Sequence, residues 1–64
     1  MKISVPNMSC DHCKAKITNA LESTGGVENI VIDLEAKIVT VDTSRSFDEI
    51  SNVIVEAGYI AAEA

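Results

Sequence analysis

Aromatic residues are nearly missing from this 64-residue chain: Phe47 and Tyr59 are the only two, and there is no tryptophan. Any core must be filled by Val, Ile, Leu and Ala, and a single domain of this length keeps that core thin. Proline is also scarce, with Pro6 alone, and many residues are β-branched, a combination that predicts strands as well as helices. No run approaches the ~18 apolar residues that span a bilayer, so membrane insertion is not expected. The segment Met1-Lys2-Ile3-Ser4-Val5-Pro6 lacks the ~7–15-residue apolar stretch of a secretory signal, which suggests a cytoplasmic protein. Met1 at the start suggests a small protein complete in itself. Positive charge is sparse: five Lys and Arg stand against ten Asp and Glu, for a net charge of −5. Without a Lys/Arg cluster the chain is a poor match for nucleic acid or an anionic membrane. The charge suits solubility and an encounter with a partner that carries a basic patch. Cysteine is too rare for a disulfide framework, since there are only Cys10 and Cys13. A bridge between them would close a very short loop and remove little unfolded-state entropy, so free thiols in a reducing compartment are expected.

The hydrophobic pattern changes period along the chain. Residues 2–5 alternate, with Ile3 and Val5 on one face, and predict a short strand that Pro6-Asn7 ends. Asn7 to Asp11 reads as a polar loop with Met8 embedded in it. From about His12, the residues Cys13, Ile17, Ala20 and Leu21 share one helical face, with Ser9 or Asp11 as the expected N-cap and Gly25-Gly26 as the exit. Val27–Leu34 and Ile38–Asp42 alternate again and predict an antiparallel hairpin turning near Glu35-Ala36-Lys37. Ser46-Phe47-Asp48-Glu49 reads as a capping box that opens a second helix. That helix carries Phe47, Ile50, Val53, Ile54 and Ala57 on one stripe and ends at Gly58. Tyr59-Ile60-Ala61 then predicts a short last strand. The order β-α-β-β-α-β over residues 1–64 implies one domain of the α+β class. Its simplest closure is a ferredoxin-like sandwich, a four-stranded antiparallel sheet with both helices on one face.

The chemistry is concentrated in Met8-Ser9-Cys10-Asp11-His12-Cys13. Two cysteines at a loop-to-helix junction can turn their sulfurs toward one point. The partial positive charge and free N–H groups of a helix N-terminus favour the thiolate, the form that binds metal. A pair of soft sulfurs selects a soft cation such as Cu(I), and two ligands can satisfy it. A structural zinc site would need two more donors within the chain, or a homodimer pooling four thiolates. A thioredoxin-like redox role is the other use of Cys-x-x-Cys. It usually needs a longer chain and a cis-proline facing the disulfide, whereas Pro6 lies just before the motif. No acid/base pair or oxyanion site is apparent, so the chain reads as non-enzymatic.

Met-x-Cys-x-x-Cys after a first short strand, with this element order and Gly58-Tyr59 near the end, resembles the heavy-metal-associated domain family. That family includes bacterial copper chaperones of the CopZ/Atx1 kind and N-terminal domains of copper-transporting P-type ATPases. The resemblance covers the whole chain and departs from the usual pattern at Asn7, where a glycine is common. It implies that Cys10 and Cys13 are the metal ligands, holding one Cu(I) per monomer. Met8 matches the motif methionine that packs beneath the loop. Tyr59 matches the loop residue that faces the metal in bacterial members. His12 reads as a solvent-facing side chain, against a role in tuning the thiols or sharing copper between two modules. Lys14 could offset the charge of a Cu(I) bis-thiolate, although a solvated lysine serves as well. Ser9 stands where zinc and cadmium members tend to carry a carboxylate, which favours copper. Asp11 keeps zinc open as an oxygen donor, and mercury(II) also suits two thiolates. The implied function is a metallochaperone, a monomer when apo and capable of a metal-bridged dimer. It would pass Cu(I) by ligand exchange to a Cys-x-x-Cys acceptor such as a copper-transporting P-type ATPase.

Overall fold

The computed structural model describes residues 1–64. Strand β1 (Lys2–Ser4) leads through the cysteine loop into helix α1 (Asp11–Thr24); strands β2 (Val27–Asp33) and β3 (Ile38–Thr43) follow, then helix α2 (Phe47–Glu56) and the two-residue strand β4 (Ala62–Glu63). The strands form one antiparallel sheet in the order β2-β3-β1-β4. This is the expected ferredoxin-like arrangement, with β1 and β3 adjacent at the centre and the two helices packed together.

The alternation seen in the sequence decides the inner face. Ile3 of β1, Val5 just after it, and Val39 and Val41 of β3 are fully buried. Ile17 and Leu21 of α1 and Ile50 and Ile54 of α2 meet them, each pair four residues apart and so on one side of its helix. Met8 completes the core from the loop. No buried side-chain polar atom lacks a partner.

Local chemistry sets the turns. The Asp33 carboxylate accepts the N–H groups of Glu35 and Ala36, both at 3.0 Å, and so builds the hairpin turn before β3. A register shift between Glu28 and Val31 marks a bulge in β2, where Asn29 has φ 50° and its amide donates to Asp42 at 2.8 Å. Ser46 caps α2 by accepting the Glu49 N–H at 3.2 Å. The other half of the expected box is replaced: the Glu49 carboxylate pairs with Arg45 at 2.8 Å. Arg45 also donates to the carbonyls of Gly25 and Thr24, at 2.8 and 3.2 Å, and so closes the end of α1.

Two expectations need correction. The helix α1 is capped by neither Ser9 nor Asp11: Cys10 is the N-cap, with φ −150° and ψ 170°, and it makes no side-chain capping bond. Asp11 already lies within the first turn. The last strand is not Tyr59-Ile60-Ala61. Tyr59 N–H goes back to the Ile54 carbonyl at 3.2 Å and Ile60 N–H goes to Asn7, so ladder pairing with β1 starts only at Ala62.

Candidate metal centre

The cysteine loop is fixed from below and from both sides. Met8 N–H donates to the Val5 carbonyl at 3.0 Å, which turns the chain sharply after β1. The Met8 side chain is fully buried, anchoring the loop on the core while Ser9 and Cys10 stay exposed. Lys37 donates to the Pro6 carbonyl at 3.2 Å, and the Asn7 side-chain oxygen accepts Ile60 N–H at 2.9 Å. Neither tie was visible in the sequence, because each joins residues far apart in the chain. The one hint was an asparagine where the resembling family commonly has glycine.

Cys10 sits at the mouth of α1, where its carbonyl accepts the Lys14 N–H at 3.2 Å. Its thiol leaves the first-turn N–H groups uncapped and facing the loop. Cys13 lies one turn in and is half-buried. The two sulfurs are 3.5 Å apart, and both cysteines are free thiols. With metal–sulfur bonds of ~2.3 Å, an ion bridging sulfurs at that separation would subtend about 100°, and opening to a straight line needs about 1 Å of outward movement. An exposed Cys10 can supply that movement without disturbing the core.

Cys13 is acidic for a thiol: it is drawn down from 9.0 to about 7. The first cause is backbone hydrogen bonding from Ser9, then the Tyr59 hydroxyl, then the Cys10 thiol, against a smaller opposing effect of burial. Tyr59 is pushed up to about 12, chiefly because its hydroxyl donates to Cys13, with burial and the charge of the two thiols adding to it. The tyrosine ring also packs on the core, so it serves both the packing and the site. At neutral pH the arrangement presents Cys13 partly as the thiolate, with the Tyr59 O–H beside it.

Of the residues singled out in the sequence, Cys10, Cys13 and Tyr59 are brought together, with the Ser9 backbone beside them and Met8 beneath. His12 and Asp11 are exposed, as is Lys14. No group of three or more His, Cys, Asp or Glu side chains gathers in a way that could hold a metal ion. The sulfur pair therefore offers two donors, Cys10 exposed and Cys13 half-buried. No helix is long and apolar enough to cross a membrane.

The heavy-metal-associated domain model matches residues 2–59. The chain is 35% identical over 60 residues to the copper chaperone CopZ of Staphylococcus haemolyticus, covering 89% of this chain and 88% of that one. It is 38% identical over 63 residues to the COP-associated protein of Helicobacter felis, covering 92% and 96%. The copper chaperone Atx1 from Synechocystis PCC6803 superposes with a TM-score of 0.90 at 24% identity, covering 97% of this chain and 98% of that one, a likeness of fold. Matched over nearly its full length, the chain belongs to the heavy-metal-associated domain family, a family of metal carriers rather than enzymes.

Proposed function

We propose that this chain is a cytoplasmic, single-domain copper(I) carrier. It holds one Cu(I) between the sulfurs of Cys10 and Cys13 and passes it to a Cys-x-x-Cys acceptor, such as a metal-binding domain of a copper-transporting P-type ATPase. The observation that carries this reading is a pair of thiols 3.5 Å apart where the loop enters α1, one exposed and one half-buried, with no third donor beside them. A d¹⁰ monovalent ion is content with two soft sulfurs, whereas zinc normally fills four positions. Relatives over 30% identical that are named copper chaperones support the choice of copper, and so does Ser9, in place of a carboxylate, before the first cysteine.

Transfer proceeds by ligand exchange. An acceptor thiolate approaches the open side of the ion and adds as a third ligand; one of this chain's thiolates then leaves, and the other follows. The low pKa of Cys13 favours its release as an anion, and the Tyr59 hydroxyl stabilises that anion while it waits for a proton or another metal. Under-coordination makes each step accessible, and the buried Met8 keeps the loop in place throughout.

Anaerobic titration with Cu(I) against a competing Cu(I) chelator tests this reading, run beside Zn(II) under the same conditions. One tightly bound Cu(I) per chain, weak Zn(II) binding and no turnover of disulfide substrates are expected. Turnover of a disulfide substrate with no retention of Cu(I) would overturn it in favour of a thiol-disulfide enzyme.

A further inference from the structure

We propose that Asn7 is a positioning residue of the metal loop: by accepting Ile60 N–H, its side chain holds Tyr59 against Cys13. As a statement about copper exchange it rests on the carrier reading given above.

The segment after α2 has little else to hold it. Gly58 turns the chain at φ 101°, with its N–H on the Val55 carbonyl at 3.0 Å. Tyr59 N–H is tied to the Ile54 carbonyl at 3.2 Å. Ile60 is 57% exposed, so packing does not fix it, and ladder pairing with β1 begins only at Ala62. Between these anchors the single link to the metal loop is the 2.9 Å bond from Ile60 N–H to the Asn7 side-chain oxygen, across 53 positions of sequence. Tyr59 is thus bracketed: its own N–H is held by α2, and the next N–H is held by the loop that carries Cys10. Its ring and Cys13 both pack on the same core cluster. A glycine at position 7 could offer no side-chain acceptor. Asn7 itself is exposed, so burial does not account for its side chain.

A net hydrogen bond of this kind changes a local open/closed equilibrium by roughly two- to tenfold. Asn7→Ala and Asn7→Gly remove the acceptor, and Asn7→Asp keeps one. In the metal-free protein, the Ile60 amide of Asn7→Ala should exchange with deuterium roughly two- to tenfold faster. Proton contacts between the Tyr59 ring and Cys13 should weaken in its nuclear Overhauser spectrum. Asn7→Asp should behave as the parent in both, and Asn7→Gly should repeat the Asn7→Ala result. In the copper-loaded protein, Asn7→Ala should speed removal of Cu(I) by excess chelator by a similar factor, because the flank of the site opens. In a Tyr59→Ala background the same change should add nothing, since the two residues act as one unit. Unchanged Ile60 exchange and intact Tyr59–Cys13 contacts in Asn7→Ala would overturn the proposal, as would an undiminished effect on release in the Tyr59→Ala background. If no variant retains Cu(I), the carrier reading fails by itself, and the metal-free spectra still decide whether Asn7 positions Tyr59.

Discussion

The acidity of Cys13 is assembled from neighbours that the chain brings in from both of its ends. The Ser9 backbone precedes it by one turn of loop, while the Tyr59 hydroxyl arrives from beyond α2. Removing that hydroxyl alone, as in Tyr59→Phe, should raise the Cys13 titration from about 7 part of the way toward 9.0, read from the ultraviolet absorbance of the thiolate. An unchanged midpoint would show that the backbone carries the whole effect. The sign for folding follows from linkage: the folded thiol is more acidic than the unfolded one. Its contribution to stability is fully present above 9.0, declines as the pH falls through the interval, and is gone below about 7. In the folded chain protons compete with metal for Cys13 only as the pH falls through about 7, so its hold on a thiolate-bound ion should weaken below that value. At this scale the sequence was partly legible. Cys10 and Cys13 declared themselves by spacing and by soft-ligand chemistry. Tyr59 was placed beside the site only by family resemblance, and Asn7 could not be placed at all, because its partner N–H belongs to a residue 53 positions away.

Among the elements, the helices and the hairpin follow from periodicity, and the deviations occur where side chains redirect the backbone. Tyr59-Ile60-Ala61 has the composition of a strand, yet its first two N–H groups are taken by the end of α2 and by Asn7, which delays pairing until Ala62. Ser9 and Asp11 have capping chemistry. The turn closed by Met8 N–H on Val5 nevertheless puts Cys10 at the N-cap, and a thiol caps poorly. Uncapped N–H groups therefore remain at the mouth of the cysteine loop. At the other end of α1 the opposite holds. Arg45 satisfies the Thr24 and Gly25 carbonyls and links them to Glu49 in α2. Arg45→Ala should therefore cost about 1–2 kcal/mol in chemical denaturation, most of it from lost carbonyl partners rather than from the exposed ion pair. Arg45→Lys should recover little, since one ammonium cannot reproduce the planar fork. A loss of only a few tenths of a kcal/mol in Arg45→Ala would show that water serves those carbonyls as well.

As a whole, the molecule sets a thin aliphatic core against one reactive end. Nine residues are fully buried, none of them aromatic, so each carries a large share of the stability. A chain of this size is expected to hold only ~3–10 kcal/mol in total. Ile54→Ala, which empties space where α2 meets the sheet, should cost about 2–5 kcal/mol and leave the apo protein close to unfolding, as a thermal melt would show. Bound metal should restore part of that loss by mass action, in proportion to how much better the folded loop holds the two sulfurs than the unfolded chain does. A melt that barely shifts in Ile54→Ala would mean that the core is redundant. The cysteine loop depends on the same core through Met8, which is why one exposed and one half-buried sulfur keep a defined geometry. The most direct measurement of the central claim is Cu(I) competition titration of the Cys10→Ser/Cys13→Ser double variant beside the parent chain. Loss of tight capture with an unchanged fold is the predicted result, and capture that survives without either sulfur would contradict the account.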